Sequence, residues 1–191
     1  MAELDRRVRR TRRLLQEALV ALIEERGYER LTVQEVLDRA DVGRSTFYSH
    51  FRDKDSLFMS CFDDLRDDLR SELDAITEGH AGPAGARPVA VIFAHADRNR
   101  PVYRAVCGRA GGTAFTHRLQ RLFAGLLHEH LASAGTRLPV ELVAEFHAGA
   151  LLGALVWWVR QDFPYGPKEM AEMCRQLTAA GVQAGLEREH N

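Results

Sequence analysis

The segment DVGRSTFYSHFRDKDSL, residues 41 to 57, concentrates side chains that can donate hydrogen bonds. Its residues 44 to 50 alone supply six donors: Arg44, Ser45, Thr46, Tyr48, Ser49 and His50. Phosphate oxygens accept hydrogen bonds from hydroxyl, guanidinium and imidazole groups, and base edges accept them from Arg, Ser and Thr. Because an ordinary surface helix would carry more Glu and Lys, this composition indicates a contact with nucleic acid.

The elements that position this segment are predicted from its flanks. Apolar residues recur at three- and four-residue intervals over residues 6 to 26, which predicts a helix that ends before Gly27. Thr32 with Glu35 three residues later is a capping box, which marks the start of a second helix that runs to about Ala40. These two helices are expected to support the donor segment.

A turn and a short third helix follow. We expect Gly43 to adopt the backbone conformation of a sharp reversal in the turn of residues 41 to 43. The third helix then covers residues 44 to 50, with Phe47 and Phe51 directed into the core. A helix, a turn of about three residues and a second short helix form a helix-turn-helix, whose second helix is shaped to enter the DNA major groove.

The rest of the chain predicts further helices. Asp53 is a candidate N-cap for a long fourth helix to about residue 78, which carries one apolar stripe. The Gly- and Pro-rich stretch of residues 79 to 88 indicates a loop. Helical patterns follow over residues 89–98, 102–106, 113–134, 140–162 and 168–188. The prediction is an all-α fold of about nine helices.

Composition limits the classes of function. With 26 basic and 27 acidic residues, the net charge of −1 argues against indiscriminate binding of polyanions, so a nucleic-acid contact must come from a local patch. Three widely spaced cysteines and a charged start favour a reducing cytoplasm. The uncharged run of residues 148 to 159 is shorter than the roughly 20 residues of a membrane span, which indicates a buried helix and no membrane.

The N-terminal region resembles the TetR family of bacterial transcriptional regulators. The resemblance covers about residues 9 to 60. It rests on the apolar spacing of the first helix, the capping box, the turn and the string T-F-Y-x-H-F-x-x-K. It implies a helix-turn-helix DNA-binding domain over residues 1–54, a linking helix over residues 54–78, and a helical regulatory domain over residues 55–191. The chain departs from the family at Gly43, where a hydroxyl N-cap is common, and the position before Thr46, usually a small residue, is Ser45.

The resemblance also implies roles for individual residues. Thr32, Tyr48, His50 and Lys54 match family positions that hold phosphates. Arg44, Ser45 and Thr46 match positions that face base edges, and Gly43 precedes them in the expected DNA-binding surface. Two such modules would meet one double-stranded DNA, with recognition helices roughly 34 to 36 Å apart on a palindromic site.

Small residues four apart in the last two helices predict a homodimer. Each helix offers a face that a second helix can approach closely, and the string HAGALLGALVWWV resembles the dimerising segment of many family members. The expected interface residues are Gly149, Gly153, Trp157, Met173, Leu177 and Gly181.

The region between the loop and these helices is where the family usually encloses a ligand, which implies an apolar cavity of roughly 300 to 1,000 Å³ for a small apolar effector. The expected lining is Phe62, Leu65, Phe93, Tyr103, Cys107, Phe115, Leu119, Phe123 and Phe146.

The sequence gives less support to metal binding or catalysis. His128 and His130 stand two apart on a helix, so they point to different sides and do not predict a metal site. Cys107 lacks an adjacent His and acid pair, so no catalytic residue and no cofactor is expected. The leading hypothesis is a ligand-released homodimeric repressor. A constitutive DNA-binding or nucleoid-associated protein and a helical enzyme remain as alternatives.

Overall fold

The computed structural model describes residues 2–77, 86–108, 113–132 and 138–186, except for the side chains of residues 2–5, 76–77, 86–87, 113–115 and 179–186. These ranges contain no strand, and the all-α prediction is confirmed. Their helices are α1 (Ala2–Arg26), α2 (Val33–Ala40), α3 (Arg44–His50), α4 (Lys54–Thr77), α5 (Ala86–Arg98), α6 (Arg100–Cys107), α7 (Thr113–Ala132), α8 (Val140–Arg160) and α9 (Pro167–Leu186), with a 3₁₀ turn at Tyr28–Arg30.

Two helices begin at the predicted caps. The Glu35 amide donates to the Thr32 hydroxyl over 3.3 Å, and the Thr32 amide donates to the Glu35 carboxylate over 2.9 Å, which confirms the capping box of α2. At the start of α4, the Ser56 amide donates to the Asp53 carboxylate over 2.7 Å. Both arrangements satisfy backbone amides that have no partner within the helix.

The turn between α2 and α3 differs from the prediction. Asp41 has the left-handed conformation, at φ 52° and ψ 47°, while Gly43 is extended at φ −67° and ψ 148°. Asp tolerates the left-handed region better than most residues. Because a Cβ at Gly43 would meet nothing closer than the Thr46 hydroxyl at 4.0 Å, the protein backbone does not require glycine there.

The first three helices share a core with α4. Leu15, Leu19 and Ile23 of α1 are fully buried, as is Leu57 at the start of α4. Helix α4 packs against α1, α5 and α7. It therefore contacts both the N-terminal helices and the helices of the second region.

Helix α8 is the centre of the second region. It packs against α6, α7 and α9, and its buried residues include Ala148, Leu151, Leu155 and Trp158. Among the described helices, α8 alone is long and apolar enough to cross a membrane by length and composition, with a mean hydropathy of 1.6. The core helix of a folded domain meets the same criterion, and the contacts of α8 with three other helices are of that kind.

The turn after α8 has two consecutive non-glycine residues in the left-handed region. Asp162 has φ 59° and Phe163 has φ 58°. The Phe163 ring is buried edge-on against Trp158, with centroids 4.8 Å apart, and the Arg104 guanidinium donates to Asp162 over 2.6 Å. These contacts stabilise a backbone conformation that is otherwise unfavourable.

Candidate nucleic-acid interface

Helix α3 exposes hydrogen-bond donors to solvent and is anchored by apolar residues in the core. Phe47 is fully buried and Phe51 nearly so, which confirms that both belong to the core. The exposed residues of α3 are Arg44, Ser45, Thr46, Tyr48 and Ser49, and His50 is half-buried. The two phenylalanine anchors fix the orientation of the helix and direct its polar residues away from the protein.

Tyr48 is the large residue of this surface. Its side chain is 52% exposed, and its ring meets Phe47 edge-on with centroids 5.2 Å apart. The contact limits the movement of the ring, while the phenol group remains accessible. Tyr48 is thus oriented for a contact outside the protein.

The charges around α3 are largely uncompensated. The helix has no acidic residue in its first turn, and neither Arg44 nor Arg52 has an ion pair within the described part of the chain. Arg12 of α1 lies over the Phe51 ring, with its guanidinium carbon 5.1 Å from the centroid. The guanidinium groups of Arg44 on α3 and of Arg52 next to it are therefore available.

Lys54 has partners within the protein. Its ammonium donates to the carbonyl oxygens of Tyr28 and Leu31, each over 2.9 Å, and lies 4.1 Å from the centre of the Tyr28 ring. The Tyr28 hydroxyl in turn donates to Asp55. Lys54 thereby ties the turn after α1 to the start of α4. An ammonium has three donors, so one remains for a phosphate.

Thr32 is exposed beside this turn, and its hydroxyl already belongs to the capping box. Glu35, its partner, also accepts from Arg26 over 2.9 Å. Hydrogen bonds from Thr32 hold the pKa of the Glu35 carboxyl below its usual value. Thr32 therefore fixes the start of α2 whether or not it touches DNA.

The expected ligand pocket is largely filled by its own side chains. Phe93, Tyr103, Cys107, Leu119 and Phe123 are buried and belong to the packed core. The side chain of Phe115 lies outside the described residues. A void of about 10 Å³, too small for an effector, is lined in part by Phe62 and Leu65.

Phe146, which was expected to line a ligand pocket, is exposed on the surface of the protomer. Its side chain is 66% exposed, because it lies on the face of α8 that turns away from the core. Leu142 and Trp157 are exposed on the same helix. Helix α8 is apolar on almost every side, so the sequence pattern does not reveal which face is covered.

Exposed apolar residues also occur on α9, which packs against α8. Gly153 is exposed on α8, Leu177 of α9 is 83% exposed, and Met173 is half-buried. A Cβ at Gly153 would meet no atom within 4 Å, and one at Gly149 would meet only the Gln120 amide, at 3.9 Å. Gly181 lies among the residues whose side chains the structure does not describe. The open space permits another helix to approach closely.

A larger cleft lies where the N-terminal helices meet the second region. We call it the junction cleft; it has a volume of about 740 Å³ and is bounded by α1, α4, α5 and α6. Val20, Leu65 and Val102 form an apolar part of its wall, and the remainder is mostly polar or charged. Among the described side chains that were expected to line a pocket, only Leu65 borders this cleft.

A buried histidine lies beside the junction cleft. The Asn99 amide donates to the His95 carbonyl oxygen over 3.0 Å and lies 3.2 Å from His95 Nε2, so that nitrogen accepts. His95 Nδ1 then donates to the Tyr103 hydroxyl, 3.2 Å away. These contacts favour the neutral ring, and burial lowers the pKa of His95.

The cysteines and acidic residues offer little reactive chemistry. Burial raises the pKa values of the Cys61 and Cys107 thiols to about 12, which leaves little thiolate at neutral pH. In the part of the chain that the structure describes, no group of three or more His, Cys, Asp or Glu residues is arranged to hold a metal ion.

Two family models match the chain. The model described as "Bacterial regulatory proteins, tetR family" matches residues 15–61, and the model described as "Transcriptional regulator C-terminal region" matches residues 89–179. The first contains the whole α2–α3 unit, and the second contains α6, α7 and α8. Together they account for well over half of the 191 residues.

Curated relatives include a protein that matches over 59 residues. YxbF of Bacillus subtilis, an uncharacterized HTH-type transcriptional regulator, is 36% identical over 59 residues. The match covers 30% of this chain and 16% of the Bacillus protein, so this chain spans less than a fifth of that relative's length.

Solved structures share the fold over nearly the whole chain. A TetR-family regulator from Syntrophomonas wolfei has a TM-score of 0.75 at 18% identity, covering 94% of this chain and 98% of its own. The fatty acid degradation regulator FadR from Bacillus halodurans has a TM-score of 0.76 at 18% identity, covering 91% and 96%. NalD, the secondary repressor of the MexAB-OprM efflux pump in Pseudomonas aeruginosa, has a TM-score of 0.63 at 17% identity, covering 96% and 99%.

Proposed function

The chain belongs to the TetR family of bacterial DNA-binding transcriptional regulators, and we propose that it is a homodimeric repressor that binds a palindromic operator and is released by a small-molecule effector. The observation that carries the proposal is helix α3, which exposes Arg44, Ser45, Thr46 and Tyr48 above the buried Phe47. We propose a cytoplasmic location and no catalytic activity.

The donors of α3 divide into two groups in this proposal. Arg44, Ser45 and Thr46 occupy the first turn, so they reach base edges when that end of α3 enters the major groove. Tyr48, His50, Thr32 and the remaining donor of Lys54 contact phosphates on either side. Base contacts determine which sequence is preferred, and phosphate contacts set affinity and register. Gly43 permits close approach because it has no side chain.

The outer face of α8 and α9 supports the proposed dimer. Leu142, Phe146, Trp157 and Leu177 are all exposed and apolar, which is costly for a lone protomer. Gly149 and Gly153 leave room for a second helix between them. We propose that these faces of two protomers meet in a four-helix bundle, which also includes Met173 and Gly181.

A constitutive DNA-binding protein is the second candidate. The filled region around Phe93, Tyr103 and Phe123 favours it, because a core without space cannot admit an effector. The junction cleft favours the ligand-responsive form, since its volume of about 740 Å³ lies within the range of small-molecule sites.

Selection of bound sequences from random duplex DNA tests the proposal. We expect an inverted repeat to be enriched, and the protein to bind it as a dimer. Competition with candidate small molecules then separates the two forms: release of the selected DNA supports a ligand-responsive repressor, while binding that no molecule alters supports a constitutive protein. Failure to enrich any sequence would contradict the proposed operator.

A further inference from the structure

The junction cleft combines an apolar wall with an excess of negative charge. Its acidic residues are Glu17, Glu24, Asp64 and Asp68, against the two guanidinium groups of Arg13 and Arg98. Its apolar wall comes from α1, α4 and α6. The cleft therefore has both features that recognise an amphiphilic ion: a surface for an apolar body and a charged group.

Both guanidinium groups already have partners. Arg13 pairs with Glu17 at 3.3 Å, and Arg98 donates to both carboxylate oxygens of Glu72 over 2.5 Å. Glu24 faces Arg104 at 3.8 Å. The positive charge of the cleft is thus used in local pairs and is not available to an anion.

Two carboxylates remain without a cation. Asp64 accepts a hydrogen bond from the neutral Gln16 amide over 2.6 Å, and Asp68 has no ion pair or hydrogen bond among the described residues. They are four residues apart on α4, so both lie on the face that borders the cleft. His95, which borders the same space, is held in its neutral form and does not neutralise them.

We propose that the junction cleft binds an organic cation with an apolar body, whose charge is held by Asp64 and Asp68. The wall formed by Val20, Leu65 and Val102 would cover the apolar body. This site is distinct from the filled region around Phe93 and Phe123, where an apolar effector was expected.

The position of the cleft suggests how an occupant would act. The Gln16 amide of α1 donates to the Ser60 hydroxyl over 3.0 Å and to Asp64 over 2.6 Å, so it holds α1 against α4. A cation at Asp64 competes with this amide for the carboxylate. The regulatory consequence, a change in how α4 carries the DNA-binding helices, rests on the proposed function; the binding itself does not.

Matched probes test the site on the intact protein without DNA. Tetraphenylphosphonium and tetraphenylborate have nearly the same apolar body and opposite charge, and calorimetry measures the affinity of each. We expect the cation to bind at least about tenfold more tightly, because the wall carries two uncompensated carboxylates. Equal affinities, or no binding of the cation at millimolar concentration, would overturn the proposal.

The double variant Asp64→Asn, Asp68→Asn locates the site. It is expected to weaken tetraphenylphosphonium binding about tenfold and to leave tetraphenylborate unchanged or stronger. The control is Asp63→Asn, Asp67→Asn on the same helix, whose carboxylates pair with Arg66 at 3.4 and 3.0 Å and do not border the cleft. Equal losses in the two double variants would contradict the assignment. Circular dichroism establishes that both are folded.

A parallel measurement of DNA binding distinguishes a failure of this site from a failure of the proposed function. If the protein fails to bind any selected DNA but still binds the cation through Asp64 and Asp68, the function fails and the site stands. If the protein binds DNA and neither probe binds, the site fails and the function stands. If the cation binds without altering DNA affinity, the regulatory consequence is contradicted and the site stands.

Discussion

The ammonium of Lys54 lies 2.9 Å from the carbonyl oxygen of Leu31, at the point where the chain enters α2. A second carbonyl, that of Tyr28, lies at the same distance. The side chain at the start of α4 therefore holds the turn that precedes the helix-turn-helix. The position that resembles a phosphate contact in the family has a structural role in this chain as well.

Replacing Lys54 with Ala should lower the free energy of unfolding by about 1.5 to 3 kcal/mol, because hydrogen bonds from a charged donor are lost and two carbonyls lose a partner. Urea denaturation measures the change. The control is Lys168→Ala, since Lys168 is exposed and is the other lysine of the chain. Equal stability of the two variants would show that the contacts of Lys54 contribute little.

The same variant tests the proposed phosphate contact through the salt dependence of DNA binding. If Lys54 neutralises one phosphate, its loss reduces the slope of log K against log salt concentration by about 0.9. If Lys54 only holds the turn, affinity falls and the slope is unchanged. Binding titrations at several salt concentrations distinguish these outcomes.

Substitutions of Arg44 and of Tyr48 should change DNA binding in different ways. Arg44→Ala is expected to change which sequence is preferred, at a cost of about 1 to 3 kcal/mol at the base it reads, while Tyr48→Ala weakens binding to all sequences alike. Selection from random DNA followed by titration measures both effects. A uniform loss in Arg44→Ala would refute the division of roles.

Gly153→Arg should disrupt the dimer without unfolding the protomer. A Cβ at Gly153 meets no atom within 4 Å in one protomer. In the proposed dimer, a side chain at this position would lie between the two protomers. Gly125→Arg on α7 is the matched control, because Gly125 also has open space around it. Sedimentation should show monomers for the first variant and dimers for the second. Dimers in both would exclude this face as the interface.

The buried His95 should make stability depend on pH. Its pKa is lowered by burial, with a smaller contribution from Arg98, against the opposing effects of Glu72 and Asp68. The unfolded chain therefore binds a proton first, near the ordinary value of about 6.5, so stability is full above that pH and is lost as pH falls toward the lower folded pKa.

Unfolding at pH 7.5 and pH 5.5 tests this effect, with His95→Gln as the comparison because glutamine can retain a hydrogen bond and does not titrate. The loss of stability on acidification is expected to be larger in the wild-type protein than in the variant. If both lose the same amount, the titration of His95 is not responsible.

The sequence predicts the helix-turn-helix accurately because several local signals agree there. Thr32 and Glu35 fix the start of α2, and Asp53 precedes α4. The left-handed residue of the turn is harder to identify, because Asp41 and Gly43 can both adopt that conformation. At Asp162 and Phe163 no glycine signals the turn, and the packing of Phe163 against Trp158 determines the backbone.

The effector region is less predictable for a different reason. Helical spacing shows that Phe93, Tyr103 and Phe123 are buried, but it does not show whether space remains between them. Phe146 belongs to a helix that is apolar on nearly every side, so its exposure depends on where α7 packs. The junction cleft is formed by four helices distant in sequence, and its boundaries follow only from tertiary structure.

The central claim is that two copies of α3 contact one duplex. Hydroxyl-radical footprinting on a selected DNA tests it most directly. We expect two protected patches whose centres are one helical turn apart, about 10 to 10.5 base pairs, or a multiple of that spacing. Both patches should disappear together in the double variant Arg44→Ala, Tyr48→Ala. A single patch, or protection that persists in that variant, would contradict the account.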